Sequence, residues 1–384
     1  MNVIDTHSGK GLSLSELREN LEALRNKRVD LVVNSSDVEV YSPRVLTTPA
    51  LPNEITEHGV GMPRCDWDLT PHAFRQWCAK FNVPSTYLGN LSIETAETAL
   101  QDLSIETMNV HNKVAEKEIL LRGFRDAHGE ITGRAVLSPS YSIIENYDVL
   151  IAVFEALNEV RKNHNIGFEP GPCSVSDTHM RARINMPELK TVSEALLKDY
   201  VSPFTHQRGI DNPVVFMGIE IRNSEVGAGS FSLVPSVVIK VCNNGMTLTK
   251  DIFRKVHLGS AMDKGVVSKR TQQATMELIS AQTVDKVLEI ANPTFLEERV
   301  NELVGLKNSV KPPSVVLDYL KDAFDHDLAD NIFDHFINGQ DGSAFGVAQA
   351  ITSCSQTDNV NVNDAMSMDD AAIEHAQVFA NLAG

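Results

Sequence analysis

The chain has 384 residues, enough for two or three domains or one large domain with appendages. Apolar residues make up 42% and charged residues 22%, which excludes global disorder. The formal net charge of −17 excludes coating of duplex DNA by charge alone, because phosphate binding needs Lys and Arg.

Residues 1–12 read as a loose tail without the apolar core of a secretion signal. Ser13-Leu14-Ser15-Glu16 opens a capping box, and Leu14, Leu17, Leu21 and Leu24 follow at helical spacing. Val29–Val33 and Val38–Leu46 are strand-like, and 47–64 is a Pro- and Gly-rich loop. Thr70-Pro71 starts a helix with Phe74, Trp77, Cys78 and Phe81 on its apolar face, and another helix is expected from Ile93 to Leu103. Strands Glu118–Phe124 and Ile131–Ser138 flank the hairpin turn Asp126-Ala127-His128-Gly129. Tyr147–Lys162 is helical. Cys173–Met186, Val214–Asn223 and Ser230–Asn243 are strands, with a long loop over Asp199–Pro213. Helices follow at Ala261–Ala291, 293–306 and 314–337, then 365–382 after a polar linker at 352–364.

Helices, then a strand cluster, then helices is an α+β order. The expectation is a mainly antiparallel central sheet with backing helices and a helical acidic C-terminal region. The divisions are a flexible tail at 1–12, a core at 13–310 and the acidic region at 311–384. No run of about 18 apolar residues could span a membrane. Cys65, Cys78, Cys173, Cys242 and Cys354 are odd in number and form no CxxC, which suits free thiols in a reducing cytoplasm.

Charge is unevenly placed. From Lys321 to Gly384 there are eleven acids against one Lys. From 240 to 272, Lys240, Lys250, Arg254, Lys255, Lys264, Lys269 and Arg270 face only Asp251 and Asp263. These cations either line a groove or decorate a solvated helix face.

Motif chemistry is sparse. No P-loop is present, so ATP is not expected, and no cofactor is implied. Gly227-Ala228-Gly229 lies between strands and reads as a turn. Asp322, His326, Asp330 and Asp334 recur every fourth residue of one expected helix. They either hold a divalent ion or form a solvated acidic face, the latter being favoured. His128 and His179 are each either catalytic or a satisfied structural histidine, the latter being favoured because a lone His carries no geometry. Arg122, Arg125 and Arg134 on the first hairpin, Tyr141 after it, and the basic stretch suit single-strand binding: cations follow phosphates and aromatics stack on bases. The alternative for Arg222 and Glu225 is a turn salt bridge.

Four stretches resemble the phage/plasmid-like family, the "domain of unknown function 932". They are Leu69–Phe74 with Phe81–Leu88; Arg134–Tyr141 with Asn146–Leu150; Arg222–Gly227 with Cys242–Met246; and Ser343–Thr352. In the last, Phe345 stands for the family's Trp and Gln349 for its Asn. The resemblance implies a mobile-element setting in a bacterial cytoplasm. The resulting expectation is an ATP-independent, homo-oligomeric single-stranded DNA-binding or annealing protein. Its interface would be Arg122, Arg125, Arg134, Tyr141, Lys250, Arg254, Lys255, Lys264, Lys269 and Arg270, and the acidic end would dock a protein partner, cover the groove or stand as a solvated appendage. The rival is a host-factor-binding protein without DNA binding; the third reading is a metal-dependent nucleic-acid enzyme.

Overall fold

The computed structural model describes residues 9–42, 44–49, 64–88, 98–242, 244–255 and 269–382. Helix α1 (Leu14–Lys27) begins at the expected capping box, in which Glu16 N donates to Ser13 Oγ and Ser13 N to the Glu16 carboxylate. The fold is α+β, and it holds two sheets rather than one.

The first sheet contains β1 (Arg28–Asn34), β2 (Glu39–Ser42), β3 (Val45–Thr48), β4 (Cys65–Leu69), β5 (Glu118–Arg125) and β6 (Ile131–Leu137). Its order is β1-β5-β6-β4-β3-β2, antiparallel except where β4 runs parallel to β6. Helices α2 (Pro71–Lys80) and α3 (Thr98–Ala115) cover it. Thr70 caps α2 by accepting from Ala73 N, with Pro71 at the first helical position. Trp67, Trp77, Leu46, Met108 and Ile119 fill the core between them. The loop expected over 47–64 lies largely outside the described residues. Helix α3 extends well past the stretch expected from 93 to 103.

The second sheet contains β7 (Glu169–Val175), β8 (Met180–Val192), β9 (Val214–Asn223), β10 (Phe231–Ile239), β11 (Asn244–Thr247) and β12 (Phe253–Lys255). Its order is β11-β10-β9-β8-β7, with β12 also on β10, all antiparallel. The single strand expected at Cys173–Met186 is two strands joined by a turn at Ser176–His179. One face is apolar. Ala182, Ile184 and Met186 stand beside Met217, Ile219 and Ile221, and then beside Leu233, Val237 and Ile239. They share one buried cluster with α1, α4 (Asn146–His164), α5 (Glu194–Leu197), α6 (Lys269–Ile290), α7 (Pro293–Leu306) and the C-terminal helices.

The other face of this sheet is polar and still buried. It carries Arg181, Arg183 and Asn185, then Gly218, Glu220 and Arg222, then Ser232 and Ser236. Strand alternation requires this, since every second side chain points to the opposite face.

The acidic C-terminal region covers that polar face. The helix expected over 314–337 is two: α8 (Pro313–Ala323) and α9 (His326–Gly339). The break falls at Asp325, whose carboxylate accepts from Leu328 N and caps α9. Next come α10 (Ala344–Cys354), buried at every residue, and α11 (Val362–Ala380). Helix α10 covers most of the stretch whose Phe345 and Gln349 depart from the family phrase. Gly346 is needed there because a Cβ would stand 1.8 Å from Asp341 O. Among the described residues no helix is long and apolar enough to cross a membrane.

Candidate nucleic-acid interface

Arg122 and Arg134 are spent on internal carboxylates, which corrects their assignment to phosphates. Arg122 is 1% exposed. It faces Asp30 across β1–β5 at 3.3 Å, Glu145 at 2.5 Å and Glu225 at 3.8 Å. Arg134 is also buried, bonded to Glu225 at 3.1 Å and to the Asp177 carbonyl at 2.7 Å, with Phe124 beneath its guanidinium. A guanidinium so enclosed cannot leave its carboxylates for a phosphate without exposing buried charge. Tyr141 is half-buried and packs against the small cluster of Leu120, Ala135, Leu137 and Val226. Burial pushes its hydroxyl up to about 12. Arg125, the last residue of β5, is half-buried.

These arginines join the two sheets. Glu225 sits in the β9–β10 turn and links both to Asn146 N at 2.8 Å, where α4 starts. Asn223 Nδ2 donates to the Ile144 carbonyl and Asn146 Oδ1, each at 2.8 Å. Gln76 of α2 donates to the Val226 carbonyl at 2.7 Å and accepts from Val136 N at 2.9 Å. Gly227 takes φ +74° in this turn. The Arg134–Tyr141 and Arg222–Gly227 phrases thus meet at one seam, which gives them a structural role. Burial opposes ionisation of Glu225, but Arg134 and Arg122 outweigh it and lower its pKa.

Two histidines border the seam. His72 lies against the Val226 carbonyl at 3.1 Å, and His179 lies against Thr178 and Asn363. Burial lowers both pKa values, against the opposing Val226 hydrogen bond on His72 and the Asn363 hydrogen bond on His179. Their stabilising neutral form is complete above the ordinary His pKa and is lost as pH falls through the lowered values. The thermal midpoint should therefore fall from pH 7 to about 5.5, a window above the carboxylate range. The double variant His72→Gln/His179→Gln should flatten that fall; an unchanged slope would assign it elsewhere.

The basic stretch is divided. Lys250 is exposed and paired with Glu302, which also holds Arg299; Arg299 in turn pairs with Asp251 at 2.8 Å. That corner is electrically balanced. Arg254 and Lys255 lie on β12, in register with Ser232 and Phe231 of β10. Lys264 lies outside the described residues. Lys269 and Arg270 open α6. Arg270 is exposed and has no carboxylate within ion-pair distance among the described residues.

The proposed metal ligands do not share one helix. Asp322 lies in the last turn of α8 while His326, Asp330 and Asp334 lie on α9, and Lys321 pairs with Asp330 at 3.4 Å. No group of three or more potential ligands comes together among the described residues.

A larger charge cluster was hidden in the sequence. On the polar face of the second sheet, Glu220 receives Arg181 Nε at 2.6 Å, Arg222 Nε at 2.6 Å and Arg183 Nη2 at 3.4 Å. Arg181 also pairs with Asp369, and Arg222 with Asp370 at 2.6 Å, both acids from α11. Burial opposes ionisation of Glu220, yet the three guanidiniums hold its carboxyl far below the usual range. The available signal is the pair of charged residues at alternate positions of apolar strands, Arg181 with Arg183 and Glu220 with Arg222. Comparison of the chain with known protein families, curated proteins and solved structures gave no match.

Proposed function

We propose that the chain is a phage- or plasmid-encoded single-stranded nucleic-acid-binding protein, ATP-independent and homo-oligomeric, acting in the cytoplasm in recombination or replication. Its interface is the segment from Arg254 to Arg270 rather than the sheet arginines. One observation carries this reading. In a chain of charge −17, that segment holds Arg254, Lys255, Lys264, Lys269 and Arg270 against Asp263 alone. Meanwhile Arg122, Arg134, Arg181, Arg183 and Arg222 are all bound to internal carboxylates. Cations in such local excess along the sequence can track a phosphate backbone and release its counterions. The two sheets then act as a scaffold that holds the two ends of the segment, on β12 and α6. The quoted family motifs supply the mobile-element setting.

Fluorescence anisotropy of a labelled single-stranded oligonucleotide tests it. Affinity should fall steeply between about 50 and 200 mM salt and exceed that for duplex. Changing all five cations of the segment to Gln should weaken binding at least about tenfold and flatten the salt slope, since each phosphate contact adds roughly one unit of slope. No salt-dependent binding at about 50 mM salt would sink the proposal and leave host-protein capture as the reading to pursue.

A further inference from the structure

The polar face of the second sheet does not close completely under α11. A cavity of about 200 Å³ lies there, lined by Lys10, Ser174, Arg181, Arg183, Ser355 and Asp369 among others. Gly11 and Pro172, both exposed, also line it and mark its rim. Its volume is below the roughly 300–1,000 Å³ of sites for drug-sized ligands, so its occupant is small.

The buried charges of the cavity are unevenly paired. Lys10, Arg181, Arg183 and Arg222 stand near Glu220, Asp369 and Asp370, while a fourth acid near Lys10, Asp358, is exposed and forms no ion pair with it among the described residues. Lys10 Nζ donates to three carbonyls, those of Ser355 and Thr357 at 2.6 Å and Val360 at 2.8 Å, which satisfy its hydrogens without neutralising it. Arg183 is the least satisfied cation. It is 5% exposed, its one carboxylate contact is the 3.4 Å approach to Glu220, and its Nε has no hydrogen-bond partner among the described residues. Its guanidinium lies over Gly245, where a Cβ would stand 2.6 Å from Nη1. Arg222 Nη2 on the same face is likewise without a partner among the described residues. A water could satisfy Arg183 Nε, but it would leave this buried guanidinium with only its 3.4 Å approach to Glu220. A buried guanidinium held by one long carboxylate contact is costly, whereas an apolar residue there would cost little. A bound anion supplies the hydrogen-bond acceptor and the charge together.

We propose that this cavity binds a small oxyanion, a phosphate or carboxylate head, with Arg183 as its principal partner and Lys10 beside it. A guanidinium presents parallel N–H donors that suit two oxygens of such a head. The proposal is independent of the nucleic-acid reading, because the cavity and the segment from Arg254 to Arg270 share no residue.

Isothermal titration calorimetry of the full chain with sodium phosphate, and separately with sodium acetate, tests it against chloride at equal ionic strength. The expected result is one saturable site for at least one of the two anions and a thermal midpoint raised as that site fills. Which anion saturates distinguishes a phosphate head from a carboxylate head. Arg183→Met should weaken binding at least about tenfold, as a lost charge-assisted contact does. Arg270→Gln should leave it unchanged, which separates the cavity from the basic segment. If Arg183→Met does not fold, Lys10→Met at the same cavity should weaken binding instead. No saturable binding of either anion up to about 50 mM, or binding lost in Arg270→Gln but kept in both cavity variants, overturns the proposal.

Discussion

Glu220→Gln should destabilise the protein by about 3–5 kcal/mol, the cost of breaking a buried ion pair from one side. Glu220 is fully buried, and Arg181, Arg222 and Arg183 converge on its two oxygens. Glutamine keeps the volume but removes the charge and turns one acceptor into a donor that faces guanidinium N–H groups. Arg183 then loses its one carboxylate contact, while Arg181 and Arg222 keep only Asp369 and Asp370. Against a typical total stability of about 5–15 kcal/mol, that loss is a large fraction. The midpoint of urea unfolding at constant slope measures it. Glu302→Gln is the contrast: its pairs with Lys250 and Arg299 are half-exposed, and about 1 kcal/mol or less is expected. A loss below about 1 kcal/mol for Glu220→Gln would mean that the cluster is not the electrostatic centre of the second sheet. The acid response points the same way. Because the folded pKa of Glu220 lies below the unfolded one, its contribution persists above the unfolded value and is lost only as pH falls through the lowered one. Glu225 behaves alike, so these two carboxylates should stay ionised after the histidines have charged.

Local chemistry was legible in the sequence; pairing at a distance was not. The Ser13–Glu16 box, the Thr70-Pro71 start and the turn after Arg125 each depend on residues a few positions apart, and each forms as expected. Strand β4 escaped because it has only five residues, Cys65–Leu69, and its acids Asp66 and Asp68 alternate outward. The break between α8 and α9 escaped because Asp325 fits equally well inside an acidic helix face or as a cap. The arginines mislead for a deeper reason. An arginine on a strand looks the same whether it faces a phosphate or a carboxylate brought from elsewhere. Arg134 meets Glu225 and Arg181 meets Asp369 only after both sheets and α11 are in place. Burial of both faces of the second sheet could be read from its long β-branched runs, but not that one face would be polar.

A chain ending near Leu320 should fail to fold cooperatively, although it removes the most acidic and superficially dispensable part of the sequence. Ile332, Phe336, Phe345, Val347, Ile351, Val362, Met368 and Phe379 lie beyond that point and are buried. All but Val362 belong to the same cluster as Ile219 and Leu233 of the second sheet. At about 1.5–3 kcal/mol for each fully buried large apolar side chain, these eight alone represent roughly 12–24 kcal/mol as an upper estimate. That exceeds or matches the whole stability of a typical domain. The cut also strips Asp369 from Arg181 and Asp370 from Arg222, and removes the three carbonyls that hold Lys10. Arg181 and Arg222 would be left facing solvent with Glu220 as their shared acid. The region is therefore neither a solvated appendage nor a tail that DNA displaces; it is the wall of the second sheet. Its exposed charge is separable from that role. Asp322, Asp327 and Asp330 are exposed, and changing all three to Asn should shift the thermal midpoint little, within about 0.5 kcal/mol per exposed site. Circular dichroism melts of the truncated and neutralised chains compare the two cases directly. A sharp, reversible melt from the truncated chain would show that the sheet stands without its C-terminal helices.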